Sequence, residues 1–244
     1  MNELINENMA LDPDAVFVQE QLLAERRIRI TILGLLLSAL LFTFVYGTIQ
    51  DPFKYTFSKI GNRFDNRALF VVWALYAGIS IQTCILALFK LENYKFKLAY
   101  YAIFAATVFL VTSAITPSIA ETYPLWTWIH IITAGLYGLF LTLGLIPFLM
   151  NVSRQNPRLK LAIKVWAGII WAGSVGWMFL LGNTGIFELW GFASVIVFLL
   201  YLSLTLFEEA IVKRSVTLLK GDTDLNLGIE RIFFKKKEKR IKRK

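Results

Sequence analysis

The run Ile30-Thr-Ile-Leu-Gly-Leu-Leu-Leu-Ser-Ala-Leu-Leu-Phe-Thr-Phe-Val-Tyr-Gly-Thr48 decides the fold. It is apolar from end to end and close to the roughly 20 residues that a helix needs to cross the hydrocarbon core of a bilayer. No charge interrupts it, and Arg26, Arg27 and Arg29 bracket its start. It is too long for a core strand and lacks the period-two alternation of a barrel strand. No small-residue cleavage site follows it, so it reads as an uncleaved first membrane span.

Five similar runs follow: Ala68 to Phe89, Leu98 to Thr116 (closed by Pro117), Leu125 to Met150, Leu161 to Leu181 and Gly185 to Phe207. None carries Lys, Arg or Asp in its middle; Lys164 and Glu188 lie at span ends. Composition agrees. Of 244 residues, 57% are hydrophobic and only 18% charged, where a soluble domain carries about a quarter charged. Mean hydropathy is +0.58. These observations predict an all-α fold, an integral membrane six-helix bundle. Residues 1–27 form an N-terminal segment, 28–209 the membrane domain and 210–244 a basic tail. The lone cysteine, Cys84, lies inside an apolar span and reads as a small buried hydrophobe.

Orientation follows from Lys and Arg in the short loops, which favour the cytoplasmic side. The N-terminal flank, the second and fourth connectors and the tail hold 22 of the 26 cations; the first connector holds Lys54, Lys59, Arg63 and Arg67. Both termini are therefore expected in the cytoplasm of a cell-membrane protein. Tyr123, Trp126, Trp128 and Trp190 then mark the outer ends of their spans. The net charge of +9 flanks apolar spans, which points to anionic lipid rather than nucleic acid as partner. Twelve cations follow Glu209, where the sixth helix is expected to continue to Gly221. Beyond it, Ile232-Phe233-Phe234 and Lys235-Lys236-Lys237 form an apolar plug beside a basic cluster. That tail is either held against the inner leaflet or free. Asp12-Pro13 reads as a helix start, and the segment after it is either an interfacial helix or a loosely ordered tail.

Small residues recur every four positions at Ala74, Gly78 and Gln82, at His130, Ala134, Gly138 and Thr142, and at Gly168, Ala172 and Gly176. Such stripes let helices approach closely in lipid. They predict that spans two, four and five meet in the bundle interior.

Chemistry, if there is any, belongs at the outer end. The only histidine, His130, lies just inside span four. The polar residues expected around it are Ser58, Asn62, Arg63, Asp65, Arg67, Glu121 and Glu188, with Asp51 and Asn183. The first outer loop, Tyr55 to Phe70, is expected to fold over the mouth of spans two and four, with Ser58, Asp65 and Arg67 facing His130. Three readings stand open. The polar set satisfies itself structurally. Or it binds a lipid headgroup, with Arg63 or Arg67 on a phosphate. Or it is an active site, for which a Ser58-His130-Asp65 triad is conceivable but has no nucleophile elbow or oxyanion signature. Metal hydrolases want more histidines than one, and glycine loops for phosphate are absent, so no cofactor is expected. A coupled transporter would carry ionisable groups at midplane, where the most central polar side chain is the uncharged Gln82.

The segment Ser58-Lys59-Ile60-Gly61, with Phe70 and Gly78 after it, resembles the Ser-x-x-Gly loop signature of a bacterial six-span family, domain of unknown function 998. That family is similar to eukaryotic Frag- and DRAM-type membrane proteins. His130 followed by Ala134 resembles their pattern too. The resemblance covers Ile30 to Phe207; the charged stretch Asn62 to Arg67 and the long basic tail depart from it. It implies six helices, no established catalytic activity and a lipid-related role. The expected function is thus a non-catalytic membrane protein that binds a lipid headgroup or membrane partner at its outer mouth. The alternative is an enzyme or transporter acting on a lipid-like substrate there.

Overall fold

The structure, a computed structural model, describes the backbone of residues 13–221 and the side chains of residue 20 and residues 23–213. Seven helices and no strand occur among them: α1 Pro13–Gly47, α2 Phe57–Arg63, α3 Arg67–Leu91, α4 Lys97–Ile115, α5 Pro124–Gln155, α6 Pro157–Leu181 and α7 Gly185–Gly221. All but α2 are long and apolar enough to cross a membrane, the shortest being α4 with 19 residues. At 1.5 Å rise per residue that is about the ~30 Å of a hydrocarbon core. The chain is a multi-pass membrane protein. The basic cluster beyond Gly221, the residues before Pro13 and the side chains of Val16, Phe17 and Leu22 lie outside what is described.

Local chemistry sets the breaks. Pro124 and Pro157 stand in the first turns of α5 and α6, where a missing N–H costs nothing. Asn156 ends α5 and caps α6, its side chain accepting from Arg158 N at 3.2 Å. Gly182, with φ of 70°, ends α6. Pro147 sits inside α5 without ending it.

The chain divides into two compact units. In one, residues 1–30 with 205–244, Arg29 pairs with Glu208 and Lys213 with Glu209. The other, residues 31–204, holds the main core. Its most buried span is α3, with Trp73, Ala74, Ala77, Ile81, Cys84, Ile85, Leu88 and Phe89 enclosed. Trp73 donates to Thr43 of α1 (3.1 Å), Cys84 lies 3.1 Å from the Ser203 hydroxyl of α7, and Thr107 of α4 donates to Gln82. Cys84 is the buried small residue its setting predicts.

The packing differs from the small-residue stripes. On α3, Gly78 does receive a neighbour, the Leu110 side chain of α4. On α5 and α6, Ala134 and Gly168 are exposed, and nothing lies within 4 Å of where a Cβ would stand on Gly138, Gly168 or Gly176. The close approach on α5 is instead Gly144, whose Cβ would come 2.6 Å from Ile103 and 3.1 Å from the Ala99 carbonyl of α4. Span two packs on span three, and span three on span four. Large side chains of α4 drop onto single glycines, a pattern that a search for repeated small residues misses.

Candidate functional site: the polar cap

The connector between α1 and α3 is a folded cap. Asp51 begins it by accepting from the Phe53 N–H through its side chain (3.0 Å) and from the Lys54 and Tyr55 N–H groups through its carbonyl (3.1 Å each). Thr56 then caps α2, accepting from Lys59 N at 3.2 Å, the usual service of a threonine at this position. Asp65, with φ of 56°, turns the chain out of α2 and is exposed.

Phe57 anchors the cap. Its ring stands edge-on to Tyr46 of α1 (5.5 Å between centroids) and to Trp73 of α3 (4.7 Å), and Trp73 in turn meets Phe192 of α7 at 4.9 Å. Such edge-to-face pairs add to the gain from burial. The Phe57 backbone is held at both ends. Its carbonyl accepts from the Tyr46 hydroxyl at 2.8 Å, and its N–H donates to the Glu188 carboxylate of α7 at 2.5 Å. Three glycines make room. A Cβ on Gly47 would come 2.6 Å from the Phe57 ring, and one on Gly61 2.7 Å from Phe70 Cβ. One on Gly185 would fall on the Tyr55 carbonyl oxygen, next to where Ile186 N–H donates to the Pro52 carbonyl at 2.9 Å.

Most of the other polar residues expected here find partners in the chain, although the nearby Thr184 hydroxyl is buried without one. Ser58 is buried, with its hydroxyl 3.2 Å from that of Thr56. Asn62 donates to the Ser58 carbonyl (2.7 Å) and accepts from Arg67 (3.2 Å). Arg67 also donates to the Ile115 carbonyl at the end of α4, and its guanidinium lies over Phe70 at 5.6 Å. Arg63 pairs with Glu121 of the α4–α5 connector; both side chains are largely exposed. The Glu121 carboxyl is held below the usual carboxylate range, first by its own backbone N–H and then by Arg63. His130 is buried, its Nδ1 2.9 Å from the Ser113 carbonyl of α4. A carbonyl only accepts, so Nδ1 carries the proton there. The ring lies 6.3 Å from that of Phe70.

Arg67 and His130 each lie beside the Phe70 ring. Ser58 and Asp65 do not join them: one is turned to Thr56 and the other is exposed. Tyr46 and Thr56 were not singled out from sequence, although a tyrosine ending an otherwise apolar run must find a partner for its hydroxyl. Among the described residues no group of three His, Cys, Asp or Glu is placed to hold a metal.

No protein-family model, no curated protein and no solved structure matches this chain.

Proposed function

We propose that this is a non-catalytic protein of the cell membrane, with both termini in the cytoplasm and the α2 cap on the outer face, where its rim meets anionic lipid headgroups. The observation that carries the reading is the pairing of the cap's polar groups within the chain. His130 is held by its Nδ1–H on the Ser113 carbonyl, and the Ser58 hydroxyl is turned to Thr56 rather than to the imidazole. A nucleophile and base must lie within hydrogen-bond reach to act together.

Lipid contact is supported by the Arg63–Glu121 pair at the rim. Exposed ion pairs contribute little, typically up to about 1 kcal/mol, so a phosphodiester can take Arg63 from Glu121 without stranding a buried charge. Membership of the six-span family resembled by Ser58 to Gly61 is part of the same proposal. The test is retention of phosphatidylglycerol by purified protein, read by native mass spectrometry. Arg63→Gln should retain less at an unchanged melting temperature, whereas His130→Ala should melt earlier yet retain lipid normally. Unchanged retention in Arg63→Gln removes the rim as a headgroup site. A cellular activity lost in His130→Gln at unchanged stability would overturn the non-catalytic reading.

A further inference from the structure

At the end of the membrane domain away from the cap, the α3–α4 connector borders an open groove of about 500 Å³, lined by Leu86, Phe89, Lys90, Asn93, Tyr94, Lys95 and Tyr100. We propose that this groove is a second, independent site, which binds the phosphate of an anionic lipid headgroup.

The groove joins three properties that such a ligand needs. First, it has two cationic side chains and no acidic one: Lys90 and Lys95 are exposed, and the lining includes no carboxylate. Second, its polar wall is built to hold still. Asn93 adopts φ of 48°, and the connector is closed by Asn93 N–H on Lys90 carbonyl (3.2 Å) and Tyr94 N–H on Phe89 carbonyl (2.9 Å). The Tyr100 hydroxyl donates to the Tyr94 carbonyl at 3.0 Å. Behind it the rings of Phe89, Tyr94, Tyr100 and Phe148 pack with centroids 4.8–5.3 Å apart. Partial burial, and then Tyr100, hold the Tyr94 phenol above its ordinary value. Third, the walls change character where an amphiphile would. Leu86, half-buried, lies on the apolar span with the enclosed Phe89 behind it, while the lysines and Asn93 stand at its end. Acyl chains and headgroup thus each meet their own kind of surface.

Basic recesses between spans are suited to anionic headgroups, and each cation near an anionic membrane strengthens binding several-fold. The lipid rather than free phosphate is the ligand, because two lysines alone hold a small anion weakly in water.

The experiment uses the full chain in zwitterionic-lipid nanodiscs doped with phosphatidylglycerol. Affinity is read by titration, with glycerol phosphate as the soluble probe. Lys90→Gln with Lys95→Gln should weaken phosphatidylglycerol binding about tenfold or more, while Lys90→Arg with Lys95→Arg should retain it. Arg63→Gln, at the cap, should leave this component unchanged, which separates failure here from failure of the rim site. Unchanged affinity in the Gln pair overturns the proposal, as does an equal response to glycerol phosphate. Both substituted lysines are exposed, so an unchanged melting temperature is expected, and loss of binding in the Arg pair as well would also count against the site.

Discussion

Tyr46 and Glu188 hold the two ends of one peptide residue, and each can be changed by a few atoms. Tyr46→Phe keeps the ring and removes the hydroxyl that serves the Phe57 carbonyl. An acceptor left unpaired away from water costs about 1–3 kcal/mol, seen as a lower melting temperature in detergent. Glu188→Gln keeps an acceptor for the Phe57 N–H and should cost little; Glu188→Leu removes it and should cost about as much as Tyr46→Phe. Equal losses in the two Glu188 variants would mean that charge, not the hydrogen bond, matters there. Glu121 gives a pH signature. Its carboxyl is depressed in the folded protein, so its contribution is fully present above the ordinary carboxylate range and is lost as pH falls through the depressed value. Melting scans between neutral pH and acid should show Glu121→Gln lacking that component. The sequence placed Arg63, Glu121 and Glu188 at one end correctly, because spans and loops carry their charged residues with them. It did not reveal who pairs with whom, since pairing depends on how helices are rotated about their axes.

Among the elements, α2 was the least legible. Phe57 to Arg63 holds Ser, Lys, Gly, Asn and Arg, poor material for an isolated helix of 7 residues. It forms because Thr56 caps it and because Phe57 and Ile60 are buried among α1, α3 and α7. The long helices were legible almost to their ends, since hydropathy and proline placement act locally. Their facing surfaces were not, for a stripe of small residues has period but no partner. Gly144→Leu should overpack α5 against α4 and cost about 1–3 kcal/mol or more, whereas Gly138→Leu, in open space, should leave the melting temperature near that of the parent. The reverse order would restore the stripe as the interface. Gly185→Ala sets a Cβ on the Tyr55 carbonyl, and protease nicking between Asp51 and Asn66 should accelerate as the cap is pushed off.

Across the whole molecule, charge distinguishes the two ends of the membrane domain. At the capped end Lys54, Lys59, Arg63 and Arg67 stand with Asp51, Asp65, Glu121 and Glu188. In the two connectors at the other end, Lys90, Lys95, Lys97, Arg154, Arg158, Lys160 and Lys164 stand with Glu92 alone. The four cations that break the positive-inside pattern are thus matched by carboxylates, and Arg63 and Lys54 pair with theirs directly. The proposed topology places reporters fused after Ser118 and after Gln155 on opposite sides of the membrane; finding them on one side would sink it.

The clamp on Phe57 also has a timetable. Its carbonyl partner, Tyr46, precedes it in the chain, but its N–H partner, Glu188, follows 131 residues later. At roughly 5–20 residues per second of synthesis, the first connector leaves the ribosome about 7–26 s before the carboxylate that locks it. The cap therefore closes last, and its closure records that the sixth span has arrived. A chain ended before Gly185 should keep α1 to α6 in the membrane yet leave Asp51 to Asn66 open to protease.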